Sequence, residues 1–265
     1  MNQMGPELNH RKTKLKNNRG HVITSTYSNR FSYIDDHILY CEKQHNYSKK
    51  IYHETHASDW FLAYAVLPEN RVCLRSADTI LKLDGPIFIF QPAFSLLEFH
   101  IEEGFLKWEC IGSHLPFDFL PTSPKLLKTS NFTLPKNKQD LIEVSKKLFL
   151  QPSIIQERTP SAIAEKLKNY IDSNFREDLK IGIIAKKLNY SREVMTRAFK
   201  KVYGISPIEY RHKLRLSEAL IQMRLGFSIT DALLSVGFMD PSQFIVQFKN
   251  LFNSLPHKYK FQNEK

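Results

Sequence analysis

Histidines, carboxylates and cysteines are the residues of this chain that could carry chemistry, and their spacing limits what that chemistry can be. His53 and His56 form an HxxH pair, with His100 and Glu102 further along. A metal-binding β-barrel usually supplies two histidines one apart on a strand, because three imidazoles must converge on one ion. A spacing of three puts the pair on opposite faces of a strand. We expect no metal site, although a loop could still bring the two rings together.

Catalytic signatures are also missing from the sequence. There is no GxSxG, HExxH or GxGxxG motif, so we expect neither an enzyme nor a bound cofactor. The sequence has three cysteines, Cys41, Cys73 and Cys110, and no two of them form a CxxC motif. An odd number of widely spaced cysteines predicts neither a disulfide framework nor a zinc site. The longest apolar run is too short to span a membrane and the N-terminus lacks a signal-peptide pattern, so we expect a soluble cytoplasmic protein without membrane contact.

The distribution of charge divides the chain into three parts. The 265 residues carry 38 lysines and arginines against 27 aspartates and glutamates, a net charge of +11. Residues 1–20 carry +4, residues 21–150 carry −1, and residues 151–265 carry +8. A basic domain points first to nucleic acid, although composition alone fits an ordinary basic protein equally well. Residues 1–20 show no helical or strand periodicity, so we expect this basic tail to be disordered. The alternative is an arm that contacts DNA.

The neutral body, residues 21–150, has the pattern of a β domain. Short runs rich in β-branched and aromatic residues are separated by turn signals at residues 68–70, 84–86 and 103–104, which predicts a β-barrel or sandwich. Lys138–Leu150 then has apolar residues at helical spacing, which predicts a helix packed on the barrel or on a second subunit. Residues 151–160, with two prolines, are the predicted linker.

Aromatic side chains are frequent enough in this body to line a ligand cavity. Filling a small barrel explains them equally well, because alternation along a strand does not tell which face is inside. The candidate effector pocket comprises Trp60, Tyr64, Phe88, Phe90, Phe99 and Trp108.

The basic third contains an internal repeat, in which Ile181–Arg211 aligns with Ile229–Lys260 at an offset of 48 and then 49 residues. Each unit predicts a helix, a tight turn and a second helix. The alignment pairs Gly204 with Asn253, and Gly and Asn are the residues that best tolerate the left-handed backbone that ends a helix. Ser191 would cap the second helix of the first unit, Arg192–Val202, and Asp240 would cap its counterpart. Between the units a helix of about 18 residues would span ~27 Å, close to the ~34 Å of one DNA turn.

Residues 161–262 resemble the DNA-binding domain of the AraC/XylS family of bacterial transcription regulators. The matching segments are IAKKLNYSREVMTRAFKKVYGISPIEYRHKLRLSEA from Ile184, ITDALLSVGF from Ile229 and FKNLFNSLPHKY from Phe248. The resemblance implies an α+β protein of two domains. These are an N-terminal cupin-like β-barrel with a following dimerisation helix, and an all-α C-terminal domain with two helix-turn-helix units joined by a long helix. It also implies double-stranded DNA, RNA polymerase and a second copy of the chain as partners, a small-molecule or other signal, and an activating role.

The family pattern assigns DNA contacts to both second helices. Arg197 stands where the family commonly places a DNA-contacting arginine, and guanidinium contact with guanine is the commonest specific readout. Glu193 could accept a hydrogen bond from cytosine or only favour the helix dipole. Val194 is expected in the core. The candidate DNA contacts are Ser191, Arg192, Glu193, Thr196, Arg197, Lys200, Lys201, Asp240, Ser242, Gln243, Val246 and Lys249.

The second of these helices departs from the family pattern. Relatives carry small polar residues and an arginine there, whereas this chain has Ile245 and Val246, which could touch thymine methyl groups but cannot donate hydrogen bonds to bases. We therefore expect the first unit to supply most of the sequence specificity and the second unit to bind the DNA backbone and to depend on the shape of the groove.

Two alternative functions stay open at this stage. One is a metal-dependent cupin enzyme fused to a DNA-binding domain, and the other is an architectural DNA-binding protein.

Overall fold

The computed structural model describes residues 19–35, 37–76, 78–129, 135, 137–155 and 161–262. Most of the basic tail at 1–20 and the second half of the predicted linker at 151–160 lie outside the described residues. Within the described ranges, no helix is long and apolar enough to cross a membrane.

The N-terminal part is an antiparallel sheet. Its strands are β1 (Arg19–Ile23), β2 (Tyr27–Asp35), β3 (Ile38–Tyr47), β4 (Lys50–Glu54), β5 (Trp60–Ser76), β6 (Thr79–Gln91), β7 (Leu97–Ile101), β8 (Gly104–Ser113) and β9 (Lys125–Lys128). The main path runs β1-β2-β3-β8-β5-β6-β9, and β7 joins the second half of β5 while pairing with β4 on its other side.

Two of the three predicted turns are wrong, because they lie inside strands. Residues 68–70 fall within β5 and Gly85 falls within β6, so four predicted strands are two long ones. Leu67 pairs with Gly85, and the register shifts immediately after this pair. Gly85 has φ 71° and Asn70 has φ 58°, so both strands bend at the same level. Residues 68–70 and 84–86 therefore do not end strands but bend them, and the bend curves the sheet.

The bent sheet encloses an apolar interior, and we call strands β1–β9 the barrel. Leu74 and Leu83, beyond the bend, share one cluster with Ile89 before it and with Phe99 and Trp108 from the neighbouring strands. The outer face is covered by helix α1 (Lys138–Phe149), which buries Leu141 and Leu148 against it. The predicted helix is confirmed, and it packs on the barrel.

The C-terminal part is helical and matches the predicted repeat. Its elements are α2 (Ala162–Asn174), α3 (Ile181–Lys187), α4 (Arg192–Tyr203), α5 (Pro207–Arg224), α6 (Ile229–Ser235), α7 (Pro241–Phe252), a 3-10 turn at Pro256–Lys258 and strand β10 (Lys260–Gln262). Helices α3 and α4 form the first helix-turn-helix unit and α6 and α7 form the second. Gly204 at φ 77° and Asn253 at φ 55° end α4 and α7 in the left-handed conformation expected from their alignment.

A buried guanidinium of α5 joins the segment after α2 to the turn of the second unit. Arg215, which is only 6% exposed, donates to the carbonyl oxygens of Phe175 at 2.6 Å, Gly237 at 2.7 Å, and Arg176 and Glu177 at 2.9 Å each. The first, third and fourth carbonyls follow α2, and Gly237 is the turn of the second unit. Burial lowers the pKa of Arg215 to about 10, so the group keeps its charge at neutral pH.

The helical part docks on the barrel through a shared apolar cluster, in which Phe31 and Phe61 of the barrel meet Leu220 of α5, and through polar contacts. Ser217 of α5 donates to the Thr55 carbonyl at 3.0 Å, and Ser58 donates to the buried Glu218 carboxylate at 2.8 Å. Strand β10, which follows the last helix, pairs antiparallel with β1 and so extends the sheet of the barrel. The two parts of the chain are therefore tied together by α5 and by the strand that comes after the helices.

Replacing Gly237 by alanine tests the packing around Arg215. Gly237 has φ 84°, and an added Cβ would collide with the Arg176 carbonyl oxygen and lie 2.7 Å from Arg215 Nη2. We expect Gly237→Ala to lower the free energy of unfolding by about 3 kcal/mol or more, measured by urea unfolding of the full chain. Gly182→Ala is the matched control, since its Cβ would meet open space in a helix and should be neutral or slightly stabilising. Equal effects of the two substitutions would contradict this packing.

Candidate DNA interface and barrel cavity

Helix α4 presents a polar face to solvent. Its N-cap is Ser191, whose hydroxyl accepts from the Val194 backbone N–H at 3.2 Å. Met195 and Phe199 are buried in the cluster that also holds Ile184 and Tyr210. The exposed side chains of α4 include the candidate contacts Arg192, Glu193, Arg197, Lys200 and Lys201, and Thr196 is half-buried.

The prediction that Val194 of α4 lies in the core is wrong. Val194 is 43% exposed, whereas Met195 and Phe199 are buried and Ala198 and Val202 are half-buried. A helix turns about 100° per residue, so Val194 lies one step to the side of the buried stripe that Met195 begins. That side of the helix faces solvent, and the apolar side chain becomes part of the outward surface.

The outward face of α4 borders a shallow depression that ends at the start of α5. It is lined by Arg192, Glu193, Thr196, Arg197 and Lys200 together with Ser206, Pro207 and Ile208. Three cations and one carboxylate therefore stand together on the outside of the first unit. Guanidinium and ammonium groups in this arrangement can donate to phosphate oxygens and to base acceptors.

Helix α7 has the same construction with a less polar surface. The Asp240 carboxylate accepts from the backbone N–H groups of Ser242 at 2.8 Å and Gln243 at 3.3 Å, so the predicted cap is confirmed. Phe244 and Phe248 are buried in the second unit. The outward side chains are Ser242, Gln243, Ile245, Val246 and Lys249, and Val246 is 58% exposed.

Comparison with known proteins assigns this helical part to a family. A model described as a helix-turn-helix domain matches residues 184–262. The chain is 38% identical over 85 residues to the probable transcription factor PqrA of Proteus vulgaris, which covers 32% of this chain and 70% of PqrA. The chain belongs to the AraC/XylS family of bacterial transcription regulators.

Other relatives match over a smaller share of their length. The Msm operon regulatory protein of Streptococcus mutans is 35% identical over 101 residues, 37% of this chain and 36% of that protein. YisR of Bacillus subtilis, an uncharacterised HTH-type regulator, is 30% identical over 137 residues, 49% of this chain and 46% of YisR. The chain thus spans less than half the length of these two relatives.

Solved structures share the two-domain fold. ToxT from Vibrio cholerae superposes with a TM-score of 0.50 at 14% identity, over 83% of this chain and 96% of ToxT. A second ToxT structure, bound to (E)-4-(8-methylnaphthalen-1-yl)but-3-enoic acid, gives a TM-score of 0.52 at 13% identity over 83% of this chain and 97% of ToxT. At this level of identity the likeness concerns the fold alone.

A cavity of about 180 Å³ lies between the inner face of the barrel and the helices. Helix α5 contributes Lys213, Ser217 and Arg224 to its wall, and the C-terminal end of α7 contributes Phe252. The sheet supplies Cys41, Lys43, His45, Phe61, Ala63, Phe99, Trp108 and Cys110. The barrel and the DNA-binding part therefore share one cavity.

The candidate effector residues divide between the two faces of the sheet. Phe99 and Trp108 line the cavity. Trp60, Phe88 and Phe90 are buried on the outer face under α1, with Tyr64 packed against them. Alternation explains the division, because Phe61 and Ala63 point inward between Trp60 and Tyr64. The alternation could be predicted from the sequence, but the face of the sheet that α1 covers could not.

The charges in the cavity are unevenly balanced. Lys43 Nζ lies 3.4 Å from the Glu54 carboxylate, and although burial raises the pKa of Glu54, the Lys43 charge holds it below its ordinary value. Burial lowers the pKa of His45 and of His56 to about 4, so both rings are neutral at neutral pH. Lys213 and Arg224 add positive charge from α5.

The histidines of the HxxH pair occupy different surroundings. His56 stacks on Phe61 and lies 3.0 Å from Gln91 Oε1. His53 lies 3.4 Å from the Glu98 carboxylate, which also accepts from His100 at 2.7 Å. In the part of the chain that the structure describes, no group of three or more histidine, cysteine or acidic side chains is arranged to hold a metal ion.

Proposed function

We propose that this chain is a sequence-specific transcription regulator that inserts α4 and α7 into successive major grooves of DNA. The observation that carries the proposal is the pair of helix-turn-helix units fixed to one helix. Helix α5 has 18 residues, which span ~27 Å, close to the ~34 Å between successive turns of one DNA groove. The polar faces of both helices are exposed while the barrel is docked, so DNA can reach them in this arrangement.

The first unit is proposed to read bases. Arg197 is exposed at the middle of α4 and would donate to guanine, and Glu193 one turn earlier would accept from cytosine. The lysines that follow would neutralise phosphates. Ser191 and Asp240 would act mainly through their caps, which orient the first turns of the two helices toward the phosphate backbone.

The second unit is proposed to bind backbone and groove shape. Its outward surface offers Ile245 and Val246 where hydrogen-bonding side chains would be needed for base readout, and Lys249 supplies one charge for a phosphate. Activation through RNA polymerase and assembly as a homodimer are carried over from the family and complete the proposal.

The barrel cavity is proposed to bind a small amphipathic anion as effector. Aromatic rings line its wall, Lys213 and Arg224 supply positive charge, and both cations belong to α5. A ligand there would touch the barrel and the helix that spaces the two units, so its binding would depend on their relative position. The ToxT structure with a bound butenoic acid supports an acid of this kind as a first probe.

Substituting Arg197 tests base readout by the first unit. Against a site selected from random DNA at physiological salt, we expect Arg197→Ala to weaken binding about 10- to 100-fold and to relax base preference at the positions under α4. Lys249→Ala should weaken binding to all sequences alike and reduce the slope of log affinity against log salt by about one. The control Lys147→Ala, on the exposed face of α1, should change neither.

Two results would contradict this assignment. Strong base preferences confined to the half-site under α7 would show that the second unit reads sequence. Binding that ignores sequence in both the wild type and Arg197→Ala would favour the architectural alternative.

Ligand binding tests the effector site. We expect naphthalene-1-butyric acid to bind the full chain at least about tenfold more tightly than its neutral amide, measured by calorimetry, because the carboxylate pairs with the α5 cations. Lys213→Met should reduce the difference between the acid and the amide, because only Arg224 remains, whereas Lys147→Met should retain it in full. Equal binding of the two compounds to the wild type, or binding of neither, would count against an anion site in this cavity.

A further inference from the structure

Two of the three cysteines form a pair that their spacing in the sequence does not reveal. Cys41 of β3 stands directly opposite Cys110 of β8, and the two thiols share a hydrogen bond. Directly opposed residues of antiparallel strands point to the same face, with Cα atoms about 4.5–5.5 Å apart. A disulfide spans Cα separations of about 4.4–6.8 Å, so a bond could form between these thiols without a movement of the backbone.

The pair lies in the wall of the barrel cavity. Both cysteines line it together with Lys43 of the same strand and Arg224 of α5. A solute that enters the cavity therefore reaches both sulfur atoms. Cys73, the remaining cysteine, stands on β5 opposite Lys82 and His100 and has no cysteine beside it in the register.

The surroundings distinguish the two thiols. The hydrogen bond from Cys110 lowers the pKa of Cys41 against the opposing effect of burial, and the charges of Arg224 and Lys43 lower it further. The same hydrogen bond and burial raise the pKa of Cys110. We assign the first reaction to Cys41, whose thiolate form the charges of Arg224 and Lys43 favour, and the second to Cys110.

We propose that Cys41 and Cys110 form a modification site at which a hydroperoxide oxidises the dithiol to an intramolecular disulfide. The Cys41 thiolate attacks one peroxide oxygen, the O–O bond breaks, and the departing oxygen takes up a proton to leave as water or an alcohol. Cys110 Sγ then attacks the resulting sulfenic acid, the S–O bond breaks, and hydroxide leaves with the Cys110 proton as water. The two thiols lose two electrons, and the peroxide gains them. This inference does not depend on the proposed DNA readout.

Peroxide treatment of the reduced full-length protein tests the site. With a small excess of hydrogen peroxide, peptide mass spectrometry should find a Cys41–Cys110 disulfide that dithiothreitol reverses. Cys41 should lose its free thiol at least about tenfold faster than Cys73, which stays open to alkylation. Cys110→Ser should stop the reaction at a Cys41 sulfenic acid that dimedone traps, and the control Cys73→Ser should behave as the wild type.

Several outcomes would overturn the proposal. They are equal rates at Cys41 and Cys73, oxidation of Cys41 to sulfinic acid without a disulfide, and persistence of both thiols in excess peroxide. Cys41→Ser and Cys41→Ala should both block disulfide formation while keeping the circular dichroism of the wild type. A disulfide between Cys73 and Cys110 in these variants would also contradict the assignment.

Discussion

The burial of one charged group imposes the geometry on which the helical part depends. A guanidinium can leave water only when acceptors surround it, because an unpaired buried charge is far too costly for a folded domain. Arg215 meets this requirement with four backbone carbonyls, three from the segment after α2 and one from the turn of the second unit. If these carbonyl groups moved apart, the buried charge of Arg215 would lose hydrogen-bond acceptors. The second unit is thereby held against α5 and the segment after α2, and α2 in turn packs on α4 of the first unit.

The helix that spaces the units is also the helix that meets the barrel. Glu218 lies beside this junction, accepting from Arg176 Nη2 and from Ser58 Oγ at 2.8 Å each. The end of α4 is equally close, since a Cβ on Gly204 would lie 2.5 Å from both the Glu98 carboxylate and His53 Nε2. The barrel cavity is therefore bounded by α5 and by His53, which lie against the elements that hold α4 and α7.

The sequence predicted the parts of this protein that local rules determine. The helix starts at Ser191 and Asp240 depend on a side-chain oxygen that accepts from backbone N–H groups two or three residues later. The left-handed ends at Gly204 and Asn253 depend on residue type, so the sequence revealed both. The barrel was predicted less well. Residues 68–70 read as a turn because Pro and Asn commonly form one, but whether they end a strand or bend it is decided by the partner strand.

Contacts between residues that are distant in the chain could not be predicted from the sequence, because they too depend on which elements pack together. Cys41 and Cys110 are distant in sequence and meet only through the β3–β8 register. Arg215 reads as an ordinary charged residue of a helix, since its acceptors are carbonyls that any residue could provide. The assignment of aromatic side chains to the cavity depended on which face α1 covers, and that is settled by packing rather than by alternation.

Through the segment after α2 and the turn of the second unit, Arg215 holds α4 and α7 at one spacing. The most direct measurement is the distance distribution between nitroxide labels at positions 194 and 246, whose native valines are 43% and 58% exposed, in full-length protein with the native cysteines replaced by alanine. We predict one narrow distribution with Arg215 and a clearly broader one in Arg215→Lys, because an ammonium group cannot reach all four carbonyls. Equally narrow distributions in both proteins would contradict the claim.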